Sequence, residues 1–148
     1  MLKRPDGSDF TTGRSHYDDH NPQGPEQSAK INVKFNPGSL GVMLAELDTG
    51  AAYSILDAEL AQALDLLDGD GPETTLRNAQ GDVLVRGRLE RVPIVLVADQ
   101  DQGCSMSFNP LFLVSREWSR HTFFGYTGLL QHIRFALDPR FNWFHFGP

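Results

Sequence analysis

The residues with the clearest chemical potential form the segment Leu47-Asp48-Thr49-Gly50-Ala51, with Ser54 three positions later. Asp48 ends an apolar run, so its carboxylate is expected at the rim of the core, partly removed from water. Gly50 allows another backbone or a substrate to approach closely. Thr49 and Ser54 carry short hydroxyl side chains that can hydrogen-bond to nearby backbone and fix a loop. Together these residues predict a rigidly held carboxylate.

One carboxylate achieves little peptide hydrolysis, whereas two carboxylates within hydrogen-bonding reach share a single proton. The ionised group can then accept a proton from a water molecule while the protonated group polarises a carbonyl. The chain contains only one Asp-Ser/Thr-Gly triplet, so a second carboxylate of this kind would have to come from another copy of Asp48. A two-fold axis in a homodimer would supply it.

The elements that position this segment are predicted to be mainly strands, which gives a mostly β fold. Apolar and polar residues alternate over 31–35, the period of a half-buried strand. Residues 40–47 form a second apolar run that leads directly into Asp48. Asp57 is expected to cap a short helix that extends to about Leu66, because Asp accepts hydrogen bonds from the amides of a first helical turn.

Further strands are predicted in the second half of the chain. Residues 74–97 are expected to form a long hairpin that turns near 78–82. A short helical segment is predicted around 128–132, and a last hairpin over 135–146. The second arm of that hairpin has aromatic residues on both faces, which favours burial in the core. The same arm is also expected to help join a dimer by pairing with its copy.

Composition indicates a single domain. The 148 residues are 40% hydrophobic, which suits one core. Residues 1–28 are polar and rich in Gly, Pro, Asp and His, so they are predicted to be a flexible tail that precedes a domain over 29–148. The net charge of −6 argues against nucleic acid or an anionic membrane as a partner, since both require a basic face.

A cytoplasmic location is expected from three sequence features. No run approaches the ~20 apolar residues that a membrane span needs. The N-terminal residues lack the apolar stretch of a secretory signal. Cys104 is the only cysteine, which excludes an intrachain disulfide.

The order of the motifs resembles that of the retropepsin-like aspartic proteases, particularly their bacterial members. Asp48-Thr49-Gly50-Ala51 follows an apolar run, a Gly-containing hairpin comes next, and Phe123-Phe124-Gly125 precedes Leu129-Leu130. The resemblance covers roughly Ala29 to Gly147. It implies an acid protease fold, which is a closed β-barrel with two short helices. Aspartic proteases are also the standard example of the proton-sharing carboxylate pair.

The resemblance implies an aspartic endopeptidase that works as a homodimer on peptide or protein substrates, without a cofactor or metal. Asp48 would be catalytic, Thr49 would bond across the two-fold axis, and Gly50 would contact the substrate backbone. Ala51 and Ser54 would support the loop, and Phe124 and Gly125 would form the second turn of the site. The flap would lie within 77–85, and its tip would consist of Asn78, Ala79, Gln80, Gly81 and Asp82.

The chain departs from the retroviral members of the family at one pair of positions. Those members have an acidic residue two positions after the Gly of the triplet and an Arg after the later Gly, whereas this chain has Ala52 and Tyr126. Both partners of the ion pair are replaced together, so no charge is left unpaired. Retroviral specificity therefore does not transfer. A non-catalytic binding or assembly module that keeps the fold is the alternative to an active peptidase.

Two other groups of residues have potential chemistry. Cys104 lacks the surroundings of a catalytic cysteine, and it is interpreted as a packing residue. His16 and His20 flank Asp18 and Asp19 at a spacing that could hold a metal on a helix. Because they fall in the predicted tail, they are interpreted as an incidental polar cluster, and no metal site is predicted.

Overall fold

The computed structural model describes residues 1–20, 30–78 and 80–148, and most of its regular structure is β-strand. This confirms the mostly β prediction. The strands in these segments are β1 (Gly13–His16), β2 (Asp18–His20), β3 (Lys30–Asn36), β4 (Met43–Leu47), β5 (Ser54–Ile55), β6 (Glu73–Arg77), β7 (Val83–Arg91), β8 (Ile94–Leu96), β9 (Met106–Phe108), β10 (Leu111–Val114), β11 (Phe123–Phe124), β12 (Arg134–Asp138) and β13 (Trp143–Gly147).

Within the described residues, helical structure is limited to α1 (Ala58–Ala63) and two 3-10 turns, Gly38–Leu40 and Leu130–His132. The predicted cap is confirmed, because an oxygen of Asp57 accepts hydrogen bonds from the amides at positions 59 and 60, at 2.9 and 3.3 Å. The prediction of two short helices is wrong in one respect, since the segment around 128–132 forms only a 3-10 turn. In the segments that the structure describes, no helix is long and apolar enough to cross a bilayer.

The larger sheet has the strand order β6-β7-β10-β5-β11-β4-β3-β8-β9, with β2 also paired to β3. Two strands adjacent in space, β11 and β4, are far apart in sequence, and β11 lies between β4 and β5. The outermost strands of this order, β6 and β9, do not pair with each other within the described residues. The strands described therefore do not form the closed barrel that the sequence predicts.

The N-terminal segment is part of the fold, which corrects the predicted tail over 1–28 and the predicted domain start at Ala29. Strand β1 pairs antiparallel with β13, so that Gly13 lies opposite Phe146 and Ser15 opposite Phe144, and β2 pairs with β3. Tyr17 is buried in the core. Polar residues can form these strands because the aromatic strand β13 provides the apolar surface. The remainder of the predicted tail, 21–28, lies outside the described residues.

The smaller sheet has the order β1-β13-β12, so both edges of the C-terminal strand are already paired. Phe144, His145 and Phe146 are all buried, which confirms the prediction that this strand is covered on both faces. The expected pairing of the same strand with its copy in a dimer is therefore wrong. Its backbone groups are already used by β1 and β12.

The buried apolar residues form two clusters. The main core is rich in aromatic residues and includes Phe35, Phe112 and Phe124. The second cluster lies under the β6–β7 hairpin and consists of Ile55, Leu76, Val85, Leu113, Trp118 and Phe123. Because β11 contributes Phe124 to the main core and Phe123 to the second cluster, this short strand is fixed from both sides.

Candidate active site

Asp48 lies immediately after β4, between β3 and β11. The Glu46 amide donates a hydrogen bond to the carbonyl of Thr122, and the Asp48 amide donates one to the carbonyl of Phe124, both at 3.0 Å. Strand-like pairing with the β11 segment thus continues through Asp48. Because side chains alternate along a strand, those of Glu46 and Asp48 project from the same face of the sheet.

The Asp48 carboxylate is oriented by its own loop. Its Oδ1 atom accepts hydrogen bonds from the amides of Gly50 and Ala51, at 2.9 and 3.2 Å. Hydrogen bonds to an ionised carboxylate are about twice as strong as those between neutral groups. Asp48 is half-buried, while Thr49 and Gly50 are exposed. A Cβ atom at position 50 would lie 3.3 Å from Oδ1, so a larger residue there would crowd the carboxylate.

The second predicted turn is joined directly to this loop. The Gly125 amide donates a hydrogen bond of 2.9 Å to Oγ of Ser54, which is fully buried. A Cβ atom at position 125 would lie 2.4 Å from the carbonyl carbon and oxygen of Tyr53, so the close approach requires glycine. The structure therefore brings Ser54, Phe124 and Gly125 to the Asp48 loop.

Backbone hydrogen bonds join the two turns where the retroviral members of the family have an ion pair. The Tyr126 amide donates to the Ala51 carbonyl at 2.9 Å, and the Thr127 amide donates to the Ala52 carbonyl at 2.8 Å. These bonds do not depend on side-chain identity. They join the Asp48 loop to the Gly125 turn without an ion pair between Ala52 and Tyr126.

The hairpin predicted as a flap is formed by β6 and β7. At its tip, Oδ1 of Asn78 accepts hydrogen bonds from the amides of Gln80 and Asp82, at 3.0 and 2.8 Å. Gly81 has a φ of +89°, a left-handed conformation that glycine adopts without strain. Ala79 lies outside the described residues. Among the described residues of the hairpin, Leu76 and Val85 are buried, and they face each other close to the tip. Both belong to the second cluster, against which Ala51 and Tyr53 of the Asp48 loop also pack.

Sequence reasoning missed several residues around the site. Thr122 is buried, and its Oγ1 accepts a hydrogen bond of 3.0 Å from the Asp57 amide, which connects the helix to β11. Glu46 pairs with Lys30, whose Nζ lies 3.5 Å from Oε2, and with Nε2 of His121. The signal for Glu46 was present in the sequence, because it precedes Asp48 by one strand period.

The other residues singled out in the sequence lie elsewhere. Cys104 is exposed, so its interpretation as a packing residue is wrong. His16 belongs to a strand, where its ring stacks on Trp143 and its Nδ1 lies 2.9 Å from a carboxylate oxygen of Asp99. The helical spacing that would suit a metal is therefore absent at His16. Among the described residues, no group of three or more His, Cys, Asp or Glu side chains is placed to hold a metal ion.

Burial and neighbouring charges shift two pKa values in the segments that join β1 to the domain. Burial opposes the charge on Asp99, but hydrogen bonds from Lys34 and His16 outweigh it and hold the pKa of that carboxyl below its usual value. Burial lowers the pKa of His145, and the positive charges of Arg14 and the N-terminal amine lower it further. The charged form of Asp99 therefore stabilises the folded chain at neutral pH, whereas the lowered pKa of His145 makes folding less favourable as the pH becomes acidic.

The fixed carboxylate of Asp48 can orient a water molecule and accept its proton, but it cannot also act as the acid. The triplet occurs once, so the acid must come from outside this loop. Comparisons with protein-family models, with curated proteins and with solved structures each give no match. Functional inference for this chain therefore depends on the geometry of the Asp48 loop and its neighbours.

Proposed function

We propose that the chain is one half of a retropepsin-like aspartic endopeptidase, in which two copies of Asp48 activate a water molecule across a two-fold axis. One observation carries the proposal. Oδ1 of Asp48 is held by two backbone amides of its loop, and that loop is joined to the Gly125 turn through Ser54. Such a loop keeps a carboxylate in one orientation, which catalysis by a carboxylate pair requires.

The exposure of the loop supports a shared site. Thr49, Gly50, Ala52 and Tyr126 are exposed around the half-buried carboxylate of Asp48. An isologous contact would place Asp48 and Thr49 opposite their copies, and Tyr126 would contribute apolar surface to the same contact. Strand β13 would take no part in strand pairing across this interface, since its edges are paired within the chain.

The proposed reaction needs one proton on the carboxylate pair. The ionised Asp48 accepts a proton from water as the water oxygen attacks the carbonyl carbon, while the protonated copy donates to the carbonyl oxygen. The resulting tetrahedral intermediate then breaks its C–N bond as Asp48 gives the proton it took from water to the nitrogen. A hydroxyl of the intermediate returns a proton to the copy of Asp48, which restores the carboxylate pair with one proton. The β6–β7 hairpin would close over the peptide and exclude bulk water.

The test is peptide hydrolysis by Asp48→Asn, which is nearly isosteric but cannot accept the proton of water. A peptide library is incubated with the wild type, with Asp48→Asn, and with Asp70→Asn, which makes the same change at an exposed loop position. We expect cleavage by the wild type and Asp70→Asn only. Removing the repulsion between two carboxylates should leave Asp48→Asn at least as stable as the wild type.

The pH dependence provides a second criterion. Cleavage should be fastest at mildly acidic pH, because the carboxylate pair must carry one proton. Equal cleavage by the wild type and Asp48→Asn, or a rate that still rises at pH 9, would refute the proposal. If the wild type binds peptides without cleaving them, the chain is the non-catalytic binding module instead.

A further inference from the structure

A row of polar side chains crosses the sheet next to Asp48. Asp18 lies opposite Asn32, and Asn32 lies opposite Glu46 on the next strand. Residues that face each other on neighbouring strands project from the same side of the sheet, so these three side chains share the face that carries Asp48. Lys30 belongs to the same face, because it is two residues from Asn32 on β3.

These side chains line a cavity of about 390 Å³, which is open to solvent. Its walls are formed by Asp18, Lys30, Asn32, Leu44, Glu46 and His121. Glu46 and Asp48 are two residues apart along the strand direction, which separates their Cα atoms by about 6.8 Å. The cavity is therefore lined by the neighbour of Asp48 on the same face of the sheet, which is within reach of a substrate residue beside the cleaved bond.

The charges in the cavity favour a positive side chain. Asp18 and Glu46 supply two carboxylates, whereas Lys30 supplies one ammonium group and His121 an imidazole. Lys30 and His121 both contact Oε2 of Glu46, so an anionic substrate group would have to displace Glu46 to reach them. Asp18 is exposed and forms no ion pair within the described residues, which leaves its carboxylate available to a cation.

We infer that this cavity is a specificity subsite that selects Arg or Lys at a substrate residue beside the cleaved bond. The inference rests on the proposed function and adds a substrate class to it. A guanidinium group fits the cavity well, because it presents several N–H donors in a plane and can bond to Glu46 and Asp18 at once. The amide oxygen of Asn32, between them in the row, is a further acceptor.

The test uses peptides that are identical except for Arg, Lys, norleucine or Glu beside the cleaved bond. For the wild type, kcat/KM should be at least tenfold higher with Arg than with norleucine, and lowest with Glu. Glu46→Gln keeps the size of the side chain but removes its charge, and it should lower the Arg-to-norleucine ratio about tenfold, the effect of one charge-assisted hydrogen bond. Asp18→Asn, at an exposed position where folding is not at risk, should lower the ratio in the same direction.

Glu117→Gln is the matched control, since it makes the same chemical change at an exposed position outside the cavity. It should keep the wild-type ratio. The inference is overturned if both cavity variants also keep that ratio, or if the wild type prefers norleucine or Glu. A preference for norleucine would instead indicate the neighbouring apolar groove, which is lined by Leu40, Met43 and Leu60.

A binding experiment separates this inference from the proposed reaction. Affinities of the Arg and norleucine peptides are measured by titration calorimetry with Asp48→Asn, which is expected to bind without cleaving. Tighter binding of the Arg peptide that is lost when Glu46→Gln is added supports the subsite even if the wild type proves inactive. Equal affinities for the two peptides overturn the subsite, whether or not the wild type cleaves.

Discussion

Replacing Gly125 with Ala tests whether the Asp48 loop and the second turn are packed as closely as the structure indicates. The added Cβ would lie 2.4 Å from the carbonyl atoms of Tyr53 and 2.8 Å from the amide nitrogen of Ser54. All of these atoms belong to the backbone, so no side chain can rotate to make room. The turn must move away, and the hydrogen bond from the Gly125 amide to Oγ of Ser54 is lost with that movement.

The expected cost can be estimated from its parts. Forcing an extra carbon into a packed site costs about 1–3 kcal/mol. Leaving a buried donor and acceptor without partners costs a further 1–3 kcal/mol, approximately. Replacing Gly with Ala also lowers the conformational entropy of the unfolded chain, which stabilises the fold by about 0.4–1 kcal/mol. The free energy of unfolding should therefore fall by about 1–6 kcal/mol, and the melting temperature by on the order of 10 °C.

Urea denaturation followed by circular dichroism measures this loss, with Gly50→Ala as the control. At position 50 the added Cβ would meet only a side-chain oxygen of Asp48, at 3.3 Å. Gly50→Ala should therefore cost less stability than Gly125→Ala, although it crowds the carboxylate. Surface substitutions typically change the free energy of unfolding by about 0.5 kcal/mol or less. If Gly125→Ala changes it by no more than that, the two turns do not approach each other as closely as the structure indicates.

Three further predictions concern acid stability, the hairpin and assembly. Because the pKa of His145 is lowered in the folded chain, the unfolded chain binds a proton first as pH falls below about 6.5. The free energy of unfolding should therefore fall below that pH. The fall should be smaller in His145→Gln than in His132→Gln, which is an exposed control. The hairpin tip at 78–82 should exchange amide hydrogens faster than the buried residues Leu76 and Val85 and become protected by an inhibitor that carries a hydroxyl in place of the cleaved carbonyl; an unchanged tip would argue against a flap. Specific activity should fall on dilution, and Asp48→Ala chains should inhibit the wild type after subunit exchange; a monomer with full activity would exclude the shared site.

Local patterns in the sequence predicted the elements that carry the candidate site. Alternation over 31–35 corresponds to β3, and the apolar run before Asp48 corresponds to β4. Asp57 caps α1, and the hairpin turns where Asn78 and Gly81 indicate. These features could be predicted because each depends on side-chain period or turn chemistry within a few residues.

Features that depend on distant residues could not be predicted in the same way. Strand β1 contains Gly, Arg, Ser and His, and it is held as a strand by β13 on one edge and by hydrogen bonds of Arg14 to residues 99 and 102 on the other. Strand β11 lies between β4 and β5 although it is far from both in the chain. The charged cavity beside Asp48 likewise combines side chains from β2, β3 and β4, although the strand period alone could have indicated Glu46.

The pairing of β1 with β13 has a consequence for how the chain acquires its structure. Gly13 lies opposite Phe146, so the contact joins positions near the two ends of the sequence. Contacts of such high sequence separation slow folding, because a long loop must close before they form. During synthesis, β1 must also wait until Phe146 has left the ribosome. The addition of β1 to the smaller sheet should therefore come late in folding, and until then the edge of β13 that β1 occupies is open to pairing with another strand.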